Sequence, residues 1–307
     1  MKSIISGYIF LFSFICFSQT ANVLPIDESF KQFISCRDFT LSSNGNEAYF
    51  TIQNVNETKG AIVKTEKIND TWTNFEIVSF SGKHRDIEPF LSPDNLKLYF
   101  SSNRPHGKDN KQTDYDIWFV ERTSINSAWS QPKNIGSPVN TTYNEFYPSV
   151  SKSNNLYYTS DQFTAISKDD ILLSKWNGEN YDQPIQLSKN INSKGYEFNA
   201  YISPDEDFLL YTVYGAKDGF GSGDLYVSFK NKNGEFTKRQ NLGKSINSDR
   251  MDYSPYYDKT SGTLYFTSKR DNTKEIKTTD LADFKEIVES YMNGQSRIYK
   301  VKLILSH

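Results

Sequence analysis

The feature that most constrains this chain is a pattern it repeats along its length. Residues 143–161 read YNEFYPSVSKSNNLYYTSD: an acidic residue, a Pro-bearing apolar run, a polar turn, then a second run rich in Tyr. Residues 85–103 (RDIEPFLSPDNLKLYFSSN), 196–212 (YEFNAYISPDEDFLLYT) and 251–268 (MDYSPYYDKTSGTLYFTS) repeat it, and CRDFTLSSNGNEAYFT from Cys36 is a weaker copy. With Ser42, Ser92, Ser151, Ser203 and Asp258 taken as equivalent, the spacings are 50, 59, 52 and 55 residues. A period near 50 marks a repeat architecture, in which each unit buries its apolar faces only against its neighbours.

Aromatic and β-branched residues alternate between clusters of Gly, Asn, Ser and Asp, which is the patterning of strands. The chain spends 20 Tyr and 22 Phe this way, and helix-period stretches are almost absent. Five units follow, at about 35–84, 85–141, 142–193, 194–248 and 249–307, each with four strands, a to d. In the third unit these fall at 146–151, 155–160, 170–175 and 181–187, the last pair joined through an Asn-Gly hairpin signal at 177–178. Strands c and d are expected at 61–65 and 72–79 in the first unit, 116–122 and 129–136 in the second, and 224–230 and 236–243 in the fourth. The fifth unit departs. Leu281, Phe284, Val288 and Tyr291 share one helical face, so a helix is expected over 279–294, with strand c at 296–305 and no strand d after it. The lead-in, 23–34, is the natural donor of that missing strand, its SFKQFIS segment reading as an edge strand. The expected fold is all-β: a β-propeller of five four-stranded blades, with a six-bladed ring as the alternative and one short helical insertion in the last blade. Closure removes the open sheet edges that invite aggregation.

Residues 1–18 stand apart. Lys2, an apolar run over 4–15 and a Cys16-Phe17-Ser18 cleavage site read as a signal peptide, leaving 19–307 as a single domain. A lipoprotein would instead modify Cys16, but Ile15 before it is a poor fit. Cleavage leaves only Cys36, so no internal disulfide forms, and no later segment is apolar enough to cross a membrane as a helix. The expected location is therefore the periplasm or the medium, as a monomer. A net charge of −2 provides no basic field for nucleic acid.

FLSPDNLKLYFSSNRP followed by DYDIWFVER, and ISPDEDFLLYT followed by GDLYVSF, resemble the WD-like propeller repeats of TolB-type proteins. The shared pattern is Ser-Pro-Asp, a Tyr-rich strand, Ser-x-Arg, then Asp before an aromatic strand. In its export and its Tyr, Asn and Lys content the chain is similar to proteins of Bacteroidetes-type bacteria. The resemblance implies a periplasmic or surface propeller that binds a protein or ligand, and it supplies no catalytic residues. The first unit departs from it, with SSNG for Ser-Pro-Asp.

Strands alternate in direction, so b–c and d–a loops share one face of the ring. The b–c loops are long, and function concentrates on long loops over a rigid scaffold. On that face Asp86, Glu145, Glu197 and Asp252 each stand six residues before the aligned Ser or Asp, three of them after an Asn-Ser or Asn-Thr pair. These carboxylates are expected to ring the channel mouth, either as a cation or polar-ligand site or as a repeated hydrogen bond to backbone N–H between blades. Recurrence in every blade favours the packing role. Arg85, Arg104, Arg250 and Arg270 share the face, to bind an anionic ligand or to neutralise the ring. Asp114, Asp116, Asp169, Asp170 and Asp224 precede strand c; paired Asp can hold calcium, though loop backbone is the commoner partner. No other cofactor is implied.

Signals of catalysis are thin. His84, His106 and His307 form no zinc motif in sequence, and no Gly-x-Ser-x-Gly elbow occurs. The glycine-rich 219–223 joins two strands, not a strand and a helix, and is set aside as a phosphate loop. The sequence thus points to an exported, non-catalytic propeller that binds a protein, peptide or cell-envelope glycan through its b–c face. The competing reading is a glycan-active hydrolase or lyase using two mouth carboxylates.

Overall fold

The lead-in is a clasp rather than a strand. In the computed structural model, which describes residues 22–106, 114–162, 168–274 and 276–305, only β1 (Leu24–Pro25) is extended. The expected signal segment lies outside the described residues. Asp27 then caps a 3₁₀ turn, Glu28–Gln32, its carboxylate accepting from Ser29 N. SFKQFIS is therefore mostly turn, because a 3₁₀ spacing brings Phe30 and Phe33 to one side. Both rings pack on Phe50 and Phe75, with centroids 4.8–5.3 Å apart.

The first blade follows as β2 (Cys36–Leu41), β3 (Glu47–Gln53), β4 (Gly60–Ile68) and β5 (Thr71–Ile77). The second is β6 (Asp86–Leu91), β7 (Lys97–Ser102), β8 (Asp116–Glu121) and β9 (Lys133–Asn134). The third is β10 (Glu145–Val150), β11 (Leu156–Ser160), β12 (Asp170–Ser174) and β13 (Ile185–Gln186). The fourth is β14 (Tyr196–Ile202), β15 (Phe208–Tyr214), β16 (Gly223–Phe229) and β17 (Gln240–Asn241). The fifth joins β18 (Asp252–Asp258), β19 (Thr263–Ser268) and β20 (Arg297–Lys302) to β1, with Leu24 opposite Lys300 and Pro25 opposite Tyr299. All strand pairs within the blades are antiparallel, and the five sheets make the five-bladed propeller. The outer strands β9, β13 and β17 are shorter than expected. In blades 3 and 4 single bridges, Trp176 with Tyr181 and Lys230 with Phe236, continue the ladder.

Two repeated devices pack the blades. Each second strand carries a buried aromatic (Phe50, Phe100, Tyr158, Tyr211 or Phe266), at most 1% exposed, with a second aromatic just before it in every blade but the fourth, where Leu210 stands. Each inner strand also carries a β-bulge, at Asp38, Glu88, Tyr147, Asn199 and Ser254, all with φ between 49° and 61°. A bulge releases one N–H from its own ladder. The preceding blade captures it with a hydroxyl one residue beyond its buried aromatic. Glu88 N donates to Thr51 Oγ1, Tyr147 N to Ser101 Oγ, Asn199 N to Thr159 Oγ1 and Asp38 N to Thr267 Oγ1, at 3.0–3.2 Å.

The helical insertion α1 (Leu281–Val288) is shorter than the expected 279–294, with Asp280 as its N-cap. None of its residues is buried; Leu281 is 82% exposed, and of the expected stripe only Tyr291, beyond the helix, turns into the core. Phe30→Ala should therefore cost about 3–5 kcal/mol in chemical denaturation, because it empties the aromatic site that ties the clasp to blade 1. Lys285→Ala on α1 should stay within about 0.5 kcal/mol.

Candidate functional site

The residue just before the bulge of each inner strand faces the ring axis on the b–c face: Arg37, Ile87, Phe146, Phe198 and Tyr253. They wall a cavity of about 350 Å³ that is reached from that face. Glu88 and Asn199, both bulge residues, lie at its floor, and Glu57, Arg85, Asp169 and Lys269 stand around it. Below, the Tyr147 hydroxyl crosses from blade 3 to donate to Pro255 O of blade 5 at 3.0 Å. Larger concavities, of about 550 and 660 Å³, lie off the axis beside blade 1, where the five blades do not converge.

Arg37 organises the floor. Its Nε donates to Asp38 Oδ1 at 2.7 Å and its Nη2 to Glu88 Oε1 at 2.8 Å, with the guanidinium 5.1 Å from the centroid of the Tyr253 ring. Ser254 Oγ donates to Asp38 Oδ1, and Ser101 Oγ and Tyr147 N donate to Glu88 Oε2. Burial pushes the Glu88 carboxyl up, against the pull of Arg37. At the rim, Lys269 pairs with Glu57 at 2.8 Å and Arg85 Nη1 donates to the Tyr115 hydroxyl at 2.9 Å. Asp169 is pushed up to about 6 by burial and then by the charges of Asp161 and Asp170. The mouth therefore combines aromatic walls with fixed charges of both signs.

The four expected ring carboxylates lie elsewhere. Asp86, Glu145 and Asp252 open their inner strands and Glu197 is the second residue of its own; all four are 0% exposed and stand one residue before the channel wall. They turn instead onto the loop that enters their own strand. Thr141, Ser193 and Ser248 each donate backbone N–H and hydroxyl to Glu145, Glu197 and Asp252, and Ser81 Oγ donates to Asp86. Arginines neutralise three of them: Arg104 on Asp86 at 2.5 Å, Arg239 on Glu197 at 2.7 Å and Arg270 on Asp252 at 2.9 Å. Arg250 pairs with Asp271 at 3.0 Å. Of the eight residues singled out in sequence, only Arg85 lines the cavity. Asp116, Asp170 and Asp224 accept from the amides of Asn134, Gln186 and Asn241 in the outer strands. Asn140, Asn192 and Asn247 bind both backbone groups of Ile117, Ile171 and Leu225 in the third strands.

The residues that sequence reasoning missed are Arg37, Asp38 and Glu88. One signal was available. Arg37-Asp38 and Asp86-Ile87-Glu88 place a second charge one or two residues into the repeat, where the other units carry Tyr, Asn or Ser. Cys36 takes the register of Asp86 in the first blade; burial pushes its thiol up to about 12, so it is a packed, unreactive group.

No protein-family model matches the chain, and no curated protein matches it in sequence. Solved structures do. A glycoside hydrolase aligns at 9% identity over 92% of this chain and 90% of its own, with a TM-score of 0.58. The catalytic domain of a Coprinopsis cinerea GH62 α-L-arabinofuranosidase aligns at 10% identity over 91% and 93%, with a TM-score of 0.51. TolB from Acinetobacter baumannii aligns at 11% identity over 92% of this chain, which spans about half, 54%, of TolB, with a TM-score of 0.49. What this chain shares with the two hydrolases is the fold. At such identities the likeness extends to the fold and no further.

Glu145 has no arginine among the described residues, and burial, chiefly, with Asp116 and Asp114 behind it, pushes its carboxyl from 4.5 up to about 8. The four carboxylates should respond differently to amidation. Glu197→Gln and Asp252→Asn leave a guanidinium unpaired and should cost about 3–5 kcal/mol. Glu145→Gln should cost about 1 kcal/mol at pH 5. Above 4.5 the unfolded wild type releases a proton that the folded chain keeps until about 8, so wild-type stability falls across that window. The Glu145→Gln deficit should therefore shrink from pH 5 to pH 8 in urea titrations run in chelator. A constant deficit would contradict this account of Glu145.

Proposed function

We propose that this chain is an exported, non-catalytic propeller that holds a segment of a protein, peptide or cell-envelope glycan in the channel mouth on its b–c face. The observation that carries this reading is the Arg37 clamp. The two carboxylates nearest the floor, Asp38 and Glu88, are tied to one guanidinium and are 1% and 4% exposed. A glycosidase needs two carboxylates free to flank the scissile bond, one protonated and one not. Here both are spent on structure, and what faces the ligand is Phe146, Phe198 and Tyr253 with Arg85, Lys269 and Asp169. Aromatic faces suit the apolar side of a sugar or a side chain, and the charges fix its orientation. A cavity of about 350 Å³ takes a single residue or sugar unit, so the rest of the ligand lies across the b–c loops.

The second reading is a glycan-active hydrolase. It is favoured by Asp169, whose carboxyl is pushed up to about 6 beside the cavity, and by the glycoside hydrolases that share the fold. Export to the periplasm or medium rests on the residues before position 19, and action as a monomer is part of the same proposal.

A glycan array and an envelope pull-down with the chain beginning at residue 19, run beside a reducing-sugar assay, separate the two. Binding should weaken at least about tenfold in Phe198→Ala, the loss of one stacked aromatic face, with no sugar released by the wild type. Release of sugar that disappears in Asp169→Asn or Glu88→Gln would replace binding with hydrolysis.

A further inference from the structure

Charge is balanced differently at one blade junction. Where blades 1, 3 and 4 each hand over to the next blade, a buried inner-strand carboxylate has its own arginine: Asp86 with Arg104, Glu197 with Arg239, Asp252 with Arg270. Between blades 2 and 3 the pattern fails. Ser-x-Arg, as in Ser102-Asn103-Arg104 and Ser268-Lys269-Arg270, becomes Ser160-Asp161-Gln162. Among the described residues Glu145 accepts from the Thr141 hydroxyl and N–H, and Asp114 and Asp116 press on it electrostatically. Arg85 reaches the Tyr115 hydroxyl and makes no ion pair among the described residues. Among the described residues no guanidinium pairs with Glu145.

His106 stands at this point. One ligand atom each of His106, Asp114 and Asp116 lie within 4.8 Å of one another, and His106 Nε2 is 2.7 Å from Asp116 Oδ2. Asp116 is 1% exposed; its Oδ2 also accepts from Asn134, and its Oδ1, sealed from solvent, has no hydrogen-bond partner among the described residues. A buried carboxylate oxygen with nothing to accept is costly unless something binds it. His106, by contrast, is exposed, so an ion can enter from the b–c face.

We propose that His106, Asp114 and Asp116 bind a divalent transition-metal ion of the zinc class on the b–c face, beside the channel mouth. An imidazole with two carboxylates suits zinc, which takes three protein ligands and keeps a fourth position for water. Calcium, which wants six to eight oxygens, is poorly served by a histidine. Two ligands of a tetrahedral zinc stand about 3.3 Å apart, so His106 Nε2, now 2.7 Å from Asp116 Oδ2, has to withdraw slightly, which the exposure of the ring allows. Asn134, donating to Asp116 Oδ2 at 2.8 Å, holds the buried ligand in place from behind. The ion supplies the positive charge that arginine supplies to Asp86, Glu197 and Asp252. The proposal is independent of what occupies the cavity.

Titration calorimetry of the purified, chelator-stripped chain with zinc chloride tests it. The expected result is one saturable site per chain, weakened at least tenfold in His106→Ala and in Asp114→Asn and unchanged in His84→Ala. Equal melting of all four proteins in chelator shows that the variants fold. A second readout is the Trp118 ring, 6.3 Å from His106, whose fluorescence cobalt should quench in the wild type and not in His106→Ala. No saturable binding, or equal binding in His106→Ala, overturns the site. Saturation by calcium with zinc inert overturns the choice of ion.

Discussion

The ring depends on a hydrogen bond that no single blade can make. Every inner strand bulges at one level, and in four of the five blades the released N–H is caught by a Ser or Thr hydroxyl of the blade before. An unmet buried N–H costs about 1–3 kcal/mol, so each blade is complete only when its neighbour is docked. The donors are non-glycine residues held at positive φ, a backbone conformation that the surrounding contacts must impose. Packing energy comes from the aromatic beside each hydroxyl, and register comes from the hydroxyl itself. The Asn latches and the inner-strand carboxylates then fix the loops that carry the chain from blade to blade.

This division explains what the sequence made legible. The recurring aromatic-rich strand and the turn after it are local, and in the third unit they put the inner strand at 146–151, one residue from Glu145–Val150. Each repeat shows the aromatic followed by Thr51, Ser101, Thr159, Thr212 or Thr267, yet the N–H that four of these hydroxyls catch, all but Thr212, lies in another blade and leaves no local trace. The carboxylates were legible as a recurring feature and were misdirected by the bulge. Strand alternation pointed them at the channel, whereas the wall is built by the residue after each of them. The clasp was legible as a segment and not as a shape, because Phe30 and Phe33 look the same in a strand or a turn until Phe50 and Phe75 are known to lie beside them.

The mouth inherits its character from this framework. Since the repeated acids are committed to holding loops, the residues that vary between blades are the ones that face the axis: Arg37, Ile87, Phe146, Phe198 and Tyr253. Arg37 fills the position with a charge, and the bulges of its own and the next blade supply the counter-charges, Asp38 and Glu88. A fivefold scaffold thereby presents an asymmetric surface, with the ion pair on blades 1 and 2 and the aromatic rings on blades 3, 4 and 5.

The lap of β1 over β20 sets a direction on assembly. The last blade takes its outermost strand from the first residues described and its other three from the end of the chain. During synthesis blades 1 to 4 can dock in order, but the outward faces of blades 1 and 4 stay bare until Lys302 has emerged. Contacts between residues nearly the whole chain apart are the slowest to form, and the partly built ring exposes apolar surface while it waits. For as long as that wait lasts the chain is an open arc, pliable enough to be handed on before it locks.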